Sequence, residues 1–149
     1  MNASRLTAAA IALSLAAGAA LADPAIEARQ SQFKLFAFSV GGIAPMAQGN
    51  AEYDAEAAQA AADTLQRLVH LDQSRKWPAG TDNASVEGTR ALPAIWEDLD
   101  DFTAKLTALR TAVDNLQAVA GDGLDPMRGA LGPVAGACSA CHQAYRAPQ

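Results

Sequence analysis

The 149-residue chain has only two cysteines and two histidines. That scarcity leaves no second Cys-x-x-Cys pair, so a structural zinc site lacks ligands. Aromatic residues make up 5% of the chain and β-branched residues are sparse, whereas alanine is abundant. Such a composition favours helices over strands. The 11 Lys and Arg against 16 Asp and Glu form no basic cluster, which argues against nucleic acid and anionic membrane surfaces as partners. After residue 22 there is no long apolar run, no internal repeat and no low-complexity linker.

The apolar run that does occur is short and lies at the beginning. Arg5 supplies a basic start, Leu6 to Ala20 an apolar stretch and Ala20-Leu21-Ala22 an A-x-A cleavage site. Residues 1–22 therefore read as a cleaved secretory signal peptide. The run is short for a membrane span, and Asp23-Pro24 breaks it, so no membrane anchor is expected after cleavage. Cleavage leaves 149 − 22 = 127 residues, enough for one domain over 23–149, with a formal charge of 10 − 16 = −6.

Four helical stretches follow. The first runs from Asp23 or Pro24 to Ala47, with Ile26, Phe33, Phe36, Val40 and Ala44 on its apolar stripe. Asp54 caps the second, which runs to about Lys76. Trp77-Pro78-Ala79-Gly80-Thr81 opens a loop to about Leu92. The third starts near Pro93 and carries Ile95, Leu99, Phe102, Leu106, Leu109, Val113, Leu116 and Ala120 at alternating four- and three-residue steps. The fourth starts at about Asp125 and carries Met127, Leu131, Val134, Cys138, Cys141 and Tyr145 in the same rhythm. Pro133 inside it predicts a kink or an irregular turn. The expected fold is an all-α, antiparallel up-down-up-down four-helix bundle.

Both cysteines and one histidine fall in Cys138-Ser139-Ala140-Cys141-His142. C-x-x-C-H is the attachment string of a c-type haem: each thiol adds to a vinyl group, and the histidine ligates the iron. A thioredoxin-like centre needs a strand context and a cysteine at a helix N-terminus, but here the pair lies deep in a terminal helix. A disulfide between residues three apart on a continuous helix would be strained. One covalent haem c per chain is the reading that remains. Export agrees with it, because bacterial haem is attached to such strings outside the cytoplasm.

His142 is the expected axial ligand. Met127 lies fifteen residues away on the same helix, about 22 Å at 1.5 Å per residue. Met46 lies thirteen residues past Phe33, about 20 Å along the bundle and on another face. His70 is near the haem layer but off its stripe, so a solvent-facing position is expected. The inward residue of the first helix at this level is Phe33, which cannot ligate. Five-coordinate iron with an apolar distal side follows. Arg29, one turn earlier, needs an anion if buried, and a haem propionate is the natural one, with Gln30 beside it. Snorkelling from the helix end is the alternative. Arg146 either flanks the proximal imidazole or a propionate, or simply occupies the helix C-terminus, where cations are favoured.

With these pieces the chain resembles the cytochrome c′ family, the class II c-type cytochromes. The resemblance is carried by Arg29-Gln30 with Phe33, Trp77 to Thr81, Pro93 to Trp96, Ala120 to Gly123, and Cys138 to His142 with Tyr145-Arg146. It implies a four-helix bundle, pentacoordinate haem and a hydrophobic distal residue at Phe33; in six-coordinate relatives a methionine stands there. It also implies propionate contacts from Arg29 and Gln30 and a haem contact from Thr89. The next position, often acidic in relatives, is Arg90 here, and the resemblance carries a haem contact to it as well. Pro133 also departs from the usual run before the cysteines. Family members bind nitric oxide and often carbon monoxide, largely exclude oxygen, and many are periplasmic homodimers.

The expected function is periplasmic capture of nitric oxide rather than enzymatic turnover. A distal side without a hydrogen-bond donor cannot stabilise polar iron-bound oxygen, and the bulk of Phe33 slows entry. A proximal site beside Arg146 then offers NO another route. The rival is an electron carrier with a periplasmic redox partner. Peroxidase-like chemistry wants distal acid or base groups, and Phe33 offers none.

Overall fold

The computed structural model describes residues 23–148, so the expected signal peptide, residues 1–22, lies outside the described residues. Five helices follow one another: α1 (Pro24–Ala47), α2 (Ala55–Val69), α3 (Ala94–Glu97), α4 (Leu99–Gln117) and α5 (Leu124–Tyr145). The four long helices form the expected bundle. α1 packs on α2, α2 on α4, and α4 on α5, and the contact of α1 with α5 is the sparsest of these four neighbouring pairs. Short connections join α1 to α2 and α4 to α5, which makes those neighbours antiparallel.

Local chemistry sets the helix ends. Asp23 opens α1 by accepting from the backbone N–H of Ala25 at 2.7 Å, and Pro24 needs no amide partner in the first turn. Asp54 caps α2 in the same way through Ala57. α5 begins at Leu124, one residue before the expected start, behind Gly123 at φ 139°, a conformation that favours glycine.

Two boundaries differ from expectation. α2 stops at Val69 rather than continuing to Lys76. Beyond it, Asp72 accepts from the backbone and hydroxyl of Ser74, so a local side-chain turn replaces the helix ladder. The third helix is cut at Asp98. This residue leaves helical geometry (φ −140°, ψ 73°) and accepts from the backbone N–H of Asp101 at 3.0 Å, ending α3 and starting α4 at once. Pro133, by contrast, does not break α5, and the expected irregular turn is absent. Gly129, whose carbonyl the proline cannot engage, is exposed to water.

Two apolar clusters divide the interior. The longer runs along the bundle through Ile43, Ala58, Ala62, Leu65, Val113, Leu116, Met127 and Val134. Each large aliphatic side chain buried there contributes about 1.5–3 kcal/mol. The smaller one, Ile95, Phe102 and Tyr145 with Trp77, Trp96 and Cys141 against them, closes the end where the loop of residues 70–93 crosses. The chain end is tied to that loop. Leu92 N–H donates to Tyr145 O, Ala147 N–H donates to Arg90 O, and Ala91 bridges Arg146.

Candidate haem site

The last turns of α5 place Cys138 and Cys141 between the two clusters. Cys138 packs against the long cluster and Cys141 against the small one, and they are not bonded to each other. Burial pushes both thiols above their ordinary pKa. They are neutral thiols, unlike the activated thiolates of dithiol exchange. His142 is shifted the other way, first by burial and then by the positive charges of Arg146 and Arg90. Its neutral imidazole, the form that binds a metal, is favoured.

Phe33 on α1 meets this end of α5. Its ring centroid is 6.4 Å from that of His142, 5.5 Å from Phe36 and 6.3 Å from Trp77. At 37% exposure it is less buried than its place on the stripe suggested. A groove of about 810 Å³ opens along the loose α1–α5 seam, with Val40 and Ala44 on one wall and Leu131, Val134, Cys138 and His142 on the other.

Arg29 is 3% exposed and its surroundings are specific. Nη1 donates to Thr81 Oγ1 (2.8 Å) and Lys76 O (3.3 Å); Nη2 donates to Thr81 O and to Thr89 Oγ1 (2.8 Å). The guanidinium also lies 4.9 Å from the Trp77 ring centroid. Four of its five N–H groups thus tie α1 to the long loop, leaving only Nε–H uncommitted. A snorkelling arginine is excluded by this burial. Gln30 donates to Gly88 O at 2.7 Å, stapling the same loop. Thr89, itself buried, is the hinge between Arg29 and the backbone of Ala91.

Arg90 and Arg146 share the rim of the groove with His142. Arg90 clasps Ala147 O through Nε (2.8 Å) and Nη2, so the residue that departs from the family pattern holds the chain end down. Arg146 caps α5, its N–H donating to His142 O. Its two sequence readings therefore coincide: it stands at the helix end and beside the imidazole.

Among the described residues no second ligand stands near Phe33. Met46 and Met127 are buried in the long cluster, and the Met46 sulfur accepts from Asp54 N–H at 3.3 Å. His70 is the C-cap of α2, with its side chain 46% exposed and its Nε2 2.9 Å from Asp114.

Sequence reading assigned no role to Trp77, to Thr81 or to the pair Tyr145–Asp101. Trp77 touches Phe33, Trp96 and Phe102, and its buried indole N–H has no partner. Its proline and glycine neighbours marked the stretch as a loop and concealed the ring's role. Tyr145 donates from its hydroxyl to Asp101 Oδ2 at 2.6 Å. Only the residue types hinted at that bond, because the two lie 44 positions apart.

The donor set fits a haem. Among the described residues no three His, Cys, Asp or Glu side chains gather to hold a bare metal ion. One neutral imidazole suits a metal that arrives with ring nitrogens of its own. Two neutral thiols, an apolar groove and an unpartnered buried indole N–H suit the rest of the macrocycle.

Comparison with known proteins gives the same answer. The family model of cytochrome c′ matches residues 24–146. The cytochrome c′ of Cereibacter sphaeroides is 43% identical over 135 residues, 91% of either chain. The solved cytochrome c′ of Rhodobacter sphaeroides superposes with a TM-score of 0.82 at 41% identity, covering 84% of this chain and 96% of that one. A variant of the Alcaligenes xylosoxidans cytochrome c′ in complex with nitric oxide superposes with a TM-score of 0.74 at 35% identity, covering 87% and 99%.

Proposed function

The chain belongs to the cytochrome c′ family and carries covalent haem c, and from that premise we propose that it captures nitric oxide at five-coordinate iron. The observation that carries this reading is the pairing of His142 with Phe33 across the site, with every other candidate ligand engaged elsewhere. Cys138 and Cys141 would hold the haem by thioethers, and His142 would bind its iron. The haem would supply the iron at which a diatomic gas binds.

The protein's own residues do the selecting. Phe33, backed by Phe36 and Trp77, presents hydrocarbon on the distal side. A weakly polar diatomic gas, NO or CO, needs no hydrogen bond there, whereas bound oxygen does. Trp77 N–H and the remaining Arg29 N–H serve the propionates, since the guanidinium packs on that same indole. Gln30, Thr89 and Arg90 act by fixing the loop that frames this edge. Arg146 beside His142 marks the proximal side, where NO has its second route of approach.

The working form is a periplasmic homodimer. The address rests on the cleavage site Ala20 to Ala22. No described helix is long and apolar enough to cross a membrane. Dimerisation is supported by Phe38, 78% exposed, and Leu35 on the same outer face of α1.

Adding NO to the ferrous protein tests the proposal by absorption spectroscopy. Formation of a nitrosyl spectrum supports it, and failure to bind NO overturns it. The alternative, an electron carrier with a periplasmic redox partner, gains if the resting spectrum is six-coordinate and low-spin.

A further inference from the structure

The small cluster holds a tyrosine that the gas-binding account does not use. Tyr145 is 7% exposed, lies three residues after His142 and packs in one cluster with Cys141. Its hydroxyl donates to Asp101 Oδ2 at 2.6 Å, and Lys105 Nζ stands 3.3 Å from the same oxygen. Its ring centroid is 5.3 Å from Phe102, Phe102 is 4.7 Å from Trp77, and Trp77 is 6.3 Å from Phe33 and 6.4 Å from the half-buried Trp96. An unbroken set of aromatic rings thus connects Tyr145 with Phe33 on the distal side of the site.

A phenol gives up an electron readily only if its proton has somewhere to go. Tyr145 has a carboxylate in a short, charge-assisted hydrogen bond. The chain's other tyrosine, Tyr53, lacks one: its hydroxyl donates to Ala120 O and accepts from Gly123 N–H. The chemistry is therefore specific to one of two tyrosines.

We propose that Tyr145 and Asp101 form a proton-coupled redox pair that gives an electron to the haem after a hydroperoxide has oxidised it. The hydroperoxide O–O bond breaks slowly, because Phe33 offers no distal acid or base, and its two oxygens leave as water and an alcohol (or a second water). This consumes two electrons from the haem group and two protons from solvent. Tyr145 then returns one electron. As it does so, its hydroxyl proton crosses to Asp101 Oδ2, leaving a neutral phenoxyl radical and a protonated carboxyl. An outside one-electron donor returns the haem group's second electron, and another electron from it reduces the phenoxyl radical as the proton moves back from Asp101 Oδ2. The pair diverts oxidising power away from the macrocycle. This inference rests on the covalent haem and not on NO binding.

The test is freeze-quench electron paramagnetic resonance on the ferric holoprotein mixed with hydrogen peroxide, with the haem absorption read in the same sample. A tyrosyl signal is expected in the parent protein and should be abolished by Tyr145→Phe, which keeps the ring. Asp101→Asn keeps an acceptor but removes the base. It should strongly diminish the signal while the haem reacts as before, and it serves if Tyr145→Phe does not fold. A signal that survives Tyr145→Phe, one unchanged by Asp101→Asn, a tryptophanyl spectrum, or an oxidised haem with no protein radical would each overturn the inference. The haem spectrum before peroxide separates these outcomes from any failure of the haem assignment.

Discussion

Phe33 on α1 and His142 on α5 bring their rings to a centroid distance of 6.4 Å, inclined at 64°. One is an aromatic hydrocarbon and the other a neutral imidazole, so only one of them can bind iron. That asymmetry is the basis of the gas-binding reading.

Truncation at Phe33 should open the distal side. Phe33→Ala is expected to raise carbon monoxide affinity about tenfold or more, equivalent to ~1.4 kcal/mol. Flash photolysis and equilibrium titration of the ferrous protein measure it. Unchanged affinity would show that Phe33 does not obstruct the ligand.

Arg29 carries the loop. Arg29→Ala removes four donors from a buried site and leaves Thr81 O and Thr89 Oγ1 without their partner. The expected loss is about 2–4 kcal/mol in urea unfolding of the holoprotein. Arg29→Lys should recover only part of it, because an ammonium cannot reproduce the planar fork.

His70 should be spectroscopically silent. It pairs with Asp114 at the bundle surface, and such exposed pairs contribute about 0–1 kcal/mol. His70→Ala is expected to leave the ferric and ferrous absorption spectra unchanged. A change of spin state would return His70 to the iron.

Much of this arrangement was readable from local signals. Asp23 and Pro24 announced the start of α1, and the four-three rhythm of Met127, Leu131, Val134, Cys138 and Cys141 put both thiols on the inner side of α5. The helix breaks at Asp98 and near Asp72 were not foreseen, because each carboxylate competes with the helix through side-chain hydrogen bonds that apolar periodicity does not register. Trp77, Thr81 and Asp101 gain their roles from residues 44 to 52 positions away, which no local pattern encodes. Burial of Arg29 was one of the two readings the sequence left open, and its commitment to the loop was not foreseen.

The Tyr145–Asp101 bond makes stability depend on pH at both extremes. The bond to Asp101, aided by burial, pushes the Tyr145 hydroxyl from 10.0 up to about 12. The folded state thus favours the neutral phenol. Its contribution is complete below pH 10 and is lost as pH rises through the range up to about 12. The same bond is the first cause holding Asp101 below its ordinary 3.8, so that contribution is present above this value and is lost as pH falls below it. Thermal melting of the parent protein and Tyr145→Phe should differ by a constant amount between these limits and converge outside them. A pH-independent difference would contradict the assignment.

The central claim is that His142 is the iron's only protein ligand and that the open position takes nitric oxide. Absorption spectra of the ferric and ferrous protein, recorded before and after addition of NO, test it most directly. The account predicts five-coordinate, high-spin spectra before NO and a nitrosyl spectrum after it. A six-coordinate, low-spin spectrum that NO leaves unchanged would contradict it.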